Sequence, residues 1–125
     1  YMSATVDWNM VLDQKGGPFH ARLGGCGSMV HYNTKNDKLV KTKIYYAMAH
    51  FSKFVDRGAE RLGTSVFSRN INATAFENPD GSIVAIIQNH GKSEKIALRL
   101  DNYSADIKLP PESITTIKIT NRDVK

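Results

Sequence analysis

The sequence predicts a mainly β chain, an antiparallel β-sandwich preceded by a strand-loop-helix unit. Three observations carry this. Beyond Gly58 the apolar residues recur with a period of two, in segments every 8 to 12 residues divided by turn signals. Between residues 42 and 55 the period is 3.6. Between residues 10 and 34 neither period appears, and Gly16, Gly17, Pro18, Gly24, Gly25 and Gly27 punctuate the chain instead.

In chain order, residues 2 to 9 read as a short buried strand ending at Trp8-Asn9. Residues 10 to 34 read as one long loop, a length usually reserved for function. Ile44, Ala47, Met48, Phe51, Phe54 and Val55 then form one helical face, with Thr42 as its N-cap and Gly58 as its C′ stop. Ala59 to Phe67 and Asn70 to Phe76 are modest strands, followed by the turn Asn78-Pro79-Asp80-Gly81. Ile83, Val84, Ala85, Ile86 and Ile87 in succession predict a central strand buried on both faces. Ile96, Leu98 and Leu100 alternate with Lys95, Ala97 and Arg99, which gives a strand with one wet face. Ile107 and Leu109 make a short strand stopped by Pro110-Pro111, and Thr115, Ile117 and Ile119 close the series. The resulting domains are 1–57 and 58–125.

The bulk numbers limit the alternatives. With 125 residues, 41% hydrophobic and 23% charged, the chain has ordinary globular usage and enough apolar material for a core. No run reaches the ~18 apolar residues of a membrane span. Tyr1-Met2-Ser3 has neither a basic nor a long apolar leader, and a start at Tyr suggests an internal fragment. One cysteine, Cys26, excludes an internal disulfide framework. The net charge of +5 concentrates between residues 35 and 57, where six cations face Asp37 and Asp56. A solvated face is the plain reading, and binding to anionic lipid or nucleic acid through Lys35 to Lys43 is a weaker one.

Asp7-Trp8-Asn9-Met10-Val11-Leu12 with Gly16-Gly17-Pro18, then His50-Phe51-Ser52-Lys53-Phe54-Val55 with Gly58-Ala59 and Arg61, resemble the C-terminal end of glycoside hydrolase family 30, which includes glucosylceramidases and other β-glycosidases. Asn78-Pro79-Asp80-Gly81-Ser82, an apolar strand and Asn89 extend the likeness. The resemblance implies that the strand-loop-helix unit closes a (β/α)8 barrel whose eighth strand ends at Trp8, with the sandwich packed beside it. It also implies retaining hydrolysis of a β-glycosidic bond without cofactor or metal, on a β-glucoside or glycolipid, in a secreted, periplasmic or lysosomal setting. Trp8 would stack on the sugar, an indole face against the C–H face of a pyranose, with Asp7 and Asn9 supporting the rim. The loop departs from the commonest family pattern at Phe19-His20-Ala21-Arg22-Leu23 and then runs Gly24-Gly25-Cys26.

A retaining glycosidase needs two carboxylates about 5 to 5.5 Å apart. The family places them, both glutamates, at the ends of the fourth and seventh barrel strands, outside this chain. Glu60, Glu77, Glu94 and Glu112 read as solvated residues at turns or outward positions, so no catalytic residue is assigned here and the chain alone is expected to be inactive. His20, His31, His50 and His90 lack metal-ligand spacing, and Ser28 and Ser52 have no triad partner. Asn72-Ala73-Thr74 and Asn102-Tyr103-Ser104 match the N-glycosylation tripeptide. The rival reading is a stand-alone β-sandwich that binds carbohydrate or a protein, with Phe67, Phe76 and Tyr103 as its few aromatics. Neither reading calls for nucleic acid as a partner.

Overall fold

The computed structural model describes residues 4–18 and 26–120. Met2 and Ser3 of the expected first strand, and Phe19 to Gly25 of the loop, lie outside these residues. The chain divides into two compact units, residues 1–49 and 50–125. The family-type helix crosses that division.

In the first unit the expected strand is absent from residues 4–9. Two local causes are visible. Asn9 takes φ 63°, in the left-handed region that ends extended structure, and no strand among the described residues pairs with this segment. The strands fall instead in the supposed loop: β1 (Val11–Asp13), β2 (Val30–Asn33) and β3 (Lys38–Lys41). They form one sheet in the order β1-β2-β3, with β1 parallel to β2 and β2 antiparallel to β3. Gln14 joins the far ends of β1 and β2, its amide donating to Thr34 Oγ1 at 3.0 Å and accepting from the Thr34 N–H at 3.2 Å.

Helix α1 (Lys43–Ser52) is shorter than its apolar pattern. Phe54 and Val55 belong to a closing turn, both amides bonding back to the Phe51 carbonyl. Thr42 is not an N-cap by side chain, because its hydroxyl donates to the carbonyls of Ser28 (2.8 Å) and Met29 (3.1 Å). Nor does Gly58 stop the helix. It takes φ 83° in the separate turn that Ala59 N–H closes on the Asp56 carbonyl. No residue of α1 is fully buried.

The second unit is the sandwich. One sheet has the order β4-β5-β6-β9: β4 (Glu60–Leu62), β5 (Ile71–Glu77), β6 (Ile83–Asn89) and β9 (Ser113–Ile119), antiparallel throughout. The other is the hairpin β7 (Glu94–Leu100) with β8 (Tyr103–Leu109). The expected strand 59–67 shrinks to three residues ending before Gly63, while β8 starts four residues earlier than Ile107. Ile71 and Ile87 from the first sheet and Leu109 from the second form the core, with Ala73, Ile96, Leu98, Ile107 and Ile117 packed on them. Complete burial of one such aliphatic side chain stabilises by about 1.5–3 kcal/mol. Val84, Ala85, Ile86 and Ile87 are all buried, as a two-faced central strand requires. The face of Val84 and Ile86 is covered from within the unit. Their cross-strand neighbours Phe76 and Thr116 meet the Phe51 ring, edge-on at 6.3 Å, and His50 Nδ1, at 2.7 Å from Thr116 Oγ1.

Candidate functional site

The segment proposed to meet a sugar lies just ahead of β1. Val6, Trp8 and Met10 project into solvent, with Trp8 78% exposed. Asp7 and Trp8 are joined directly, the Trp8 N–H donating to Asp7 Oδ1 at 2.8 Å. This bond fixes the Asp7 carboxylate over its own backbone. Asn9 is half-buried at its left-handed φ, a conformation Asn adopts more readily than most residues.

Past β1 the chain reverses on Asp13. Its Oδ1 accepts the N–H groups of Lys15 (2.7 Å) and Gly17 (2.9 Å), and its backbone exchanges bonds with Gly16 and Gly17. These amides, Gly17 first, hold the Asp13 carboxyl below its usual pKa range. A Cβ on Gly17 would lie 3.0 Å from Asp13 Oδ2, so this close approach calls for glycine there. The Gly17–Pro18 peptide bond is cis. The Gly-Gly-Pro motif is therefore a built turn organised by Asp13, a role its sequence neighbours did not signal.

Other candidates take structural places. His31 sits in β2, His50 bonds Thr116, and His90 Nε2 lies 2.9 Å from Asn72 Nδ2. Among the described residues no three of His, Cys, Asp and Glu come together to hold a metal ion. Cys26 is an exposed free thiol.

Glu60, Glu77 and Glu112 are exposed, but Glu94 departs from expectation. It is half-buried on the side of β7 that carries Ile96 and Leu98, and accepts the Ser68 hydroxyl at 3.3 Å. Glu60 and Glu77 stand directly opposite each other across β4 and β5. They border a shallow depression of about 320 Å³ shared with Gly58, Asn78, Pro79 and Gly81, which has no aromatic wall for a sugar. A larger hollow of about 770 Å³ lies between the two sheets, mostly aliphatic, with Phe67 the only aromatic among the described residues that line it. Neither offers the flat aromatic platform that the rival carbohydrate-binding reading needs.

The feature sequence reasoning missed is Asn78, only 2% exposed. Its Oδ1 accepts the Asp56 N–H at 2.9 Å, and its Nδ2 donates to the Phe54 carbonyl (3.0 Å) and Ser82 Oγ (3.1 Å). It clips the segment after α1 onto the β5–β6 turn.

Comparison with known proteins matches both units. Residues 1–55 match the model of the glycosyl hydrolase family 30 TIM-barrel domain, and residues 58–117 that of the family's beta sandwich domain. The chain thus carries part of a TIM-barrel domain joined to a β-sandwich domain. It belongs to glycosyl hydrolase family 30.

The mouse lysosomal acid glucosylceramidase is 29% identical over 103 residues, which cover 82% of this chain and 20% of that protein. The endo-beta1,6-glucanase BT3312 superposes with a TM-score of 0.76 at 32% identity, covering 89% of this chain and 26% of its own. SrfJ from Salmonella typhimurium gives 0.83 at 27% identity, covering 90% and 25%. The chain spans about a quarter of the length of the curated relatives it matches.

Proposed function

We propose that this chain is the C-terminal part of a retaining β-glycosidase of the glucosylceramidase and β-glucosidase type, and that by itself it does not hydrolyse glycosides. The family membership of both units supports the parent activity, and names among the relatives point to β-glucosidic substrates. In this reading the two catalytic glutamates come from earlier barrel strands. The present residues supply Trp8 as a stacking face for the sugar, with Asp7 and Asn9 at its rim. The sandwich has a structural role, and within its own unit it fixes residues 50–56 through Thr116 and Asn78.

The observation that carries the reading is Trp8 itself. Val6, Trp8 and Met10 are exposed at alternate positions of one segment, Trp8 by 78%, and an exposed apolar group of this kind supports a role in contact with a ligand or a neighbouring segment. The test is to express the chain together with the coding sequence upstream of Tyr1 and assay a soluble aryl β-glucoside. Turnover by the longer product, none by the 125-residue chain, and a loss of about tenfold or more in kcat/KM for Trp8→Ala are expected. Turnover by the short chain, or a Trp8→Ala enzyme as efficient as its parent, would refute the assignment.

A further inference from the structure

Two Asn-X-Ser/Thr tripeptides, Asn72-Ala73-Thr74 and Asn102-Tyr103-Ser104, match the acceptor pattern for N-linked glycosylation. The fold gives them different surroundings. Asn72 lies within β5, a strand bonded to β4 on one side and β6 on the other, and stands opposite Gln88. Its Nδ2, the atom to which a glycan would be joined, is 2.9 Å from His90 Nε2, and Thr74 is half-buried.

Asn102 stands at the outer end of a hairpin. Leu100 pairs with Tyr103, so Asp101 and Asn102 alone connect β7 to β8. Asp101 makes the reversal at φ 50°, a left-handed value that Asp tolerates. Asn102, Tyr103 and Ser104 are all exposed. Leu109, the buried residue of β8, is at the opposite end of the strand. Among the described residues β8 pairs with β7 and with no other strand.

A transferase must draw the asparagine amide and the hydroxyl two residues on into one site. A strand with neighbours on both edges resists that, whereas the tip of an edge hairpin frays at little cost. A glycan at this tip projects into water and displaces no packed side chain.

We propose that Asn102 is an N-glycosylation site, with Ser104 as its hydroxyl residue and an oligosaccharide on a polyprenyl diphosphate as its donor. The Asn102 amide nitrogen bonds to the anomeric carbon of the first sugar while the bond from that carbon to the diphosphate oxygen breaks. The amide gives up one proton, and the polyprenyl diphosphate leaves. The inference goes beyond the glycosidase reading and rests on it only for a secretory setting.

The test produces the longer protein described above behind a secretory leader in a eukaryotic cell line. Treatment with peptide-N-glycosidase in heavy-oxygen water releases any glycan and turns its asparagine into an aspartate marked by one heavy oxygen. Peptide mass spectrometry then reads the residue directly. The Asn102 peptide should carry the mark. Ser104→Ala should abolish it with Asn102 still in place, and Ser104→Thr should retain it.

An unmarked Asn102 peptide from the parent would overturn the proposal. A mark that persists in Ser104→Ala would also overturn it, since that would be spontaneous deamidation of a turn asparagine. Aryl β-glucoside turnover by the same preparation separates the two claims. An inactive protein marked at Asn102 sinks the glycosidase reading and leaves the glycan site standing, and an active protein with Asn102 bare does the reverse.

Discussion

Replacing Asn78 with alanine tests how the sandwich is tied to the segment that follows α1. The substitution removes three side-chain hydrogen bonds, to Asp56 N–H, the Phe54 carbonyl and Ser82 Oγ, from a residue only 2% exposed. Each such bond contributes about 0.5–1.5 kcal/mol net, so the loss should be about 3 kcal/mol, with the half-buried Phe54 carbonyl adding to it if left unpaired. A domain of this size is stable by only about 4–11 kcal/mol, so the effect is large. Urea unfolding followed by far-UV circular dichroism measures it as a shift of midpoint at constant slope. Ser82→Ala, which removes one of the three bonds and also the hydroxyl that Asp80 accepts, should cost about 1–2 kcal/mol. If Asn78→Ala lies within about 0.5 kcal/mol of the parent, or Ser82→Ala costs as much, the residue is not the clip described here.

Other outcomes follow from single sites. The hydroxyl and amide of Ser82, with Lys118 at 3.7 Å, hold the Asp80 carboxyl below its usual pKa. Its stabilising contribution is therefore complete above the unfolded carboxylate pKa of about 3.9 and lost as pH falls through the lower folded value. Melting temperatures measured from neutral to acid pH should show a shallower acid limb in Asp80→Ala, and a limb of parental steepness would contradict this. Glu60 and Glu77 face each other with like charge, so Glu77→Lys should raise stability by about 0.2–1 kcal/mol, an advantage that added salt erodes. Trp8 is the only tryptophan, and its exposure predicts solvent-like fluorescence readily quenched by iodide in this chain. Blue-shifted, protected emission from the 125-residue chain would show that the indole is packed here.

What could be read from the sequence depended on how local the determinants were. Asn78-Pro79-Asp80-Gly81 marks a turn by its own chemistry, and Gly81 does take φ 77° with its N–H on the Asn78 carbonyl. The alternation of β7 likewise survives intact, Ile96, Leu98 and Leu100 half-buried and Lys95, Ala97 and Arg99 exposed. The first unit's sheet is not legible because its strands are very short and one of its two pairings is non-local. Val11 pairs with Val30 across a glycine-rich stretch, and three- or four-residue strands leave too few alternations to register. Asn78 looked like turn chemistry alone, since nothing near it announces a bond to Asp56, 22 residues earlier. At the proposed sugar-facing segment the sequence offers an indole beside polar groups, and the structure adds the exposure of that indole and the left-handed φ of Asn9.

The doubly buried strand β6 carries a hazard as well as a core. Ile83 to Ile87 is five consecutive apolar residues, mostly β-branched and free of charge and proline, the composition that seeds cross-β stacking when a chain is unfolded. In the native sheet it is flanked on both sides, by β5 and β9, so neither of its edges can template another molecule. Expression yield and refolding efficiency should thus depend on how fast β9, the last strand among the described residues, reaches β6. Truncations or mutations that delay that closure would be expected to send the protein into inclusion bodies before they measurably alter anything the folded molecule does.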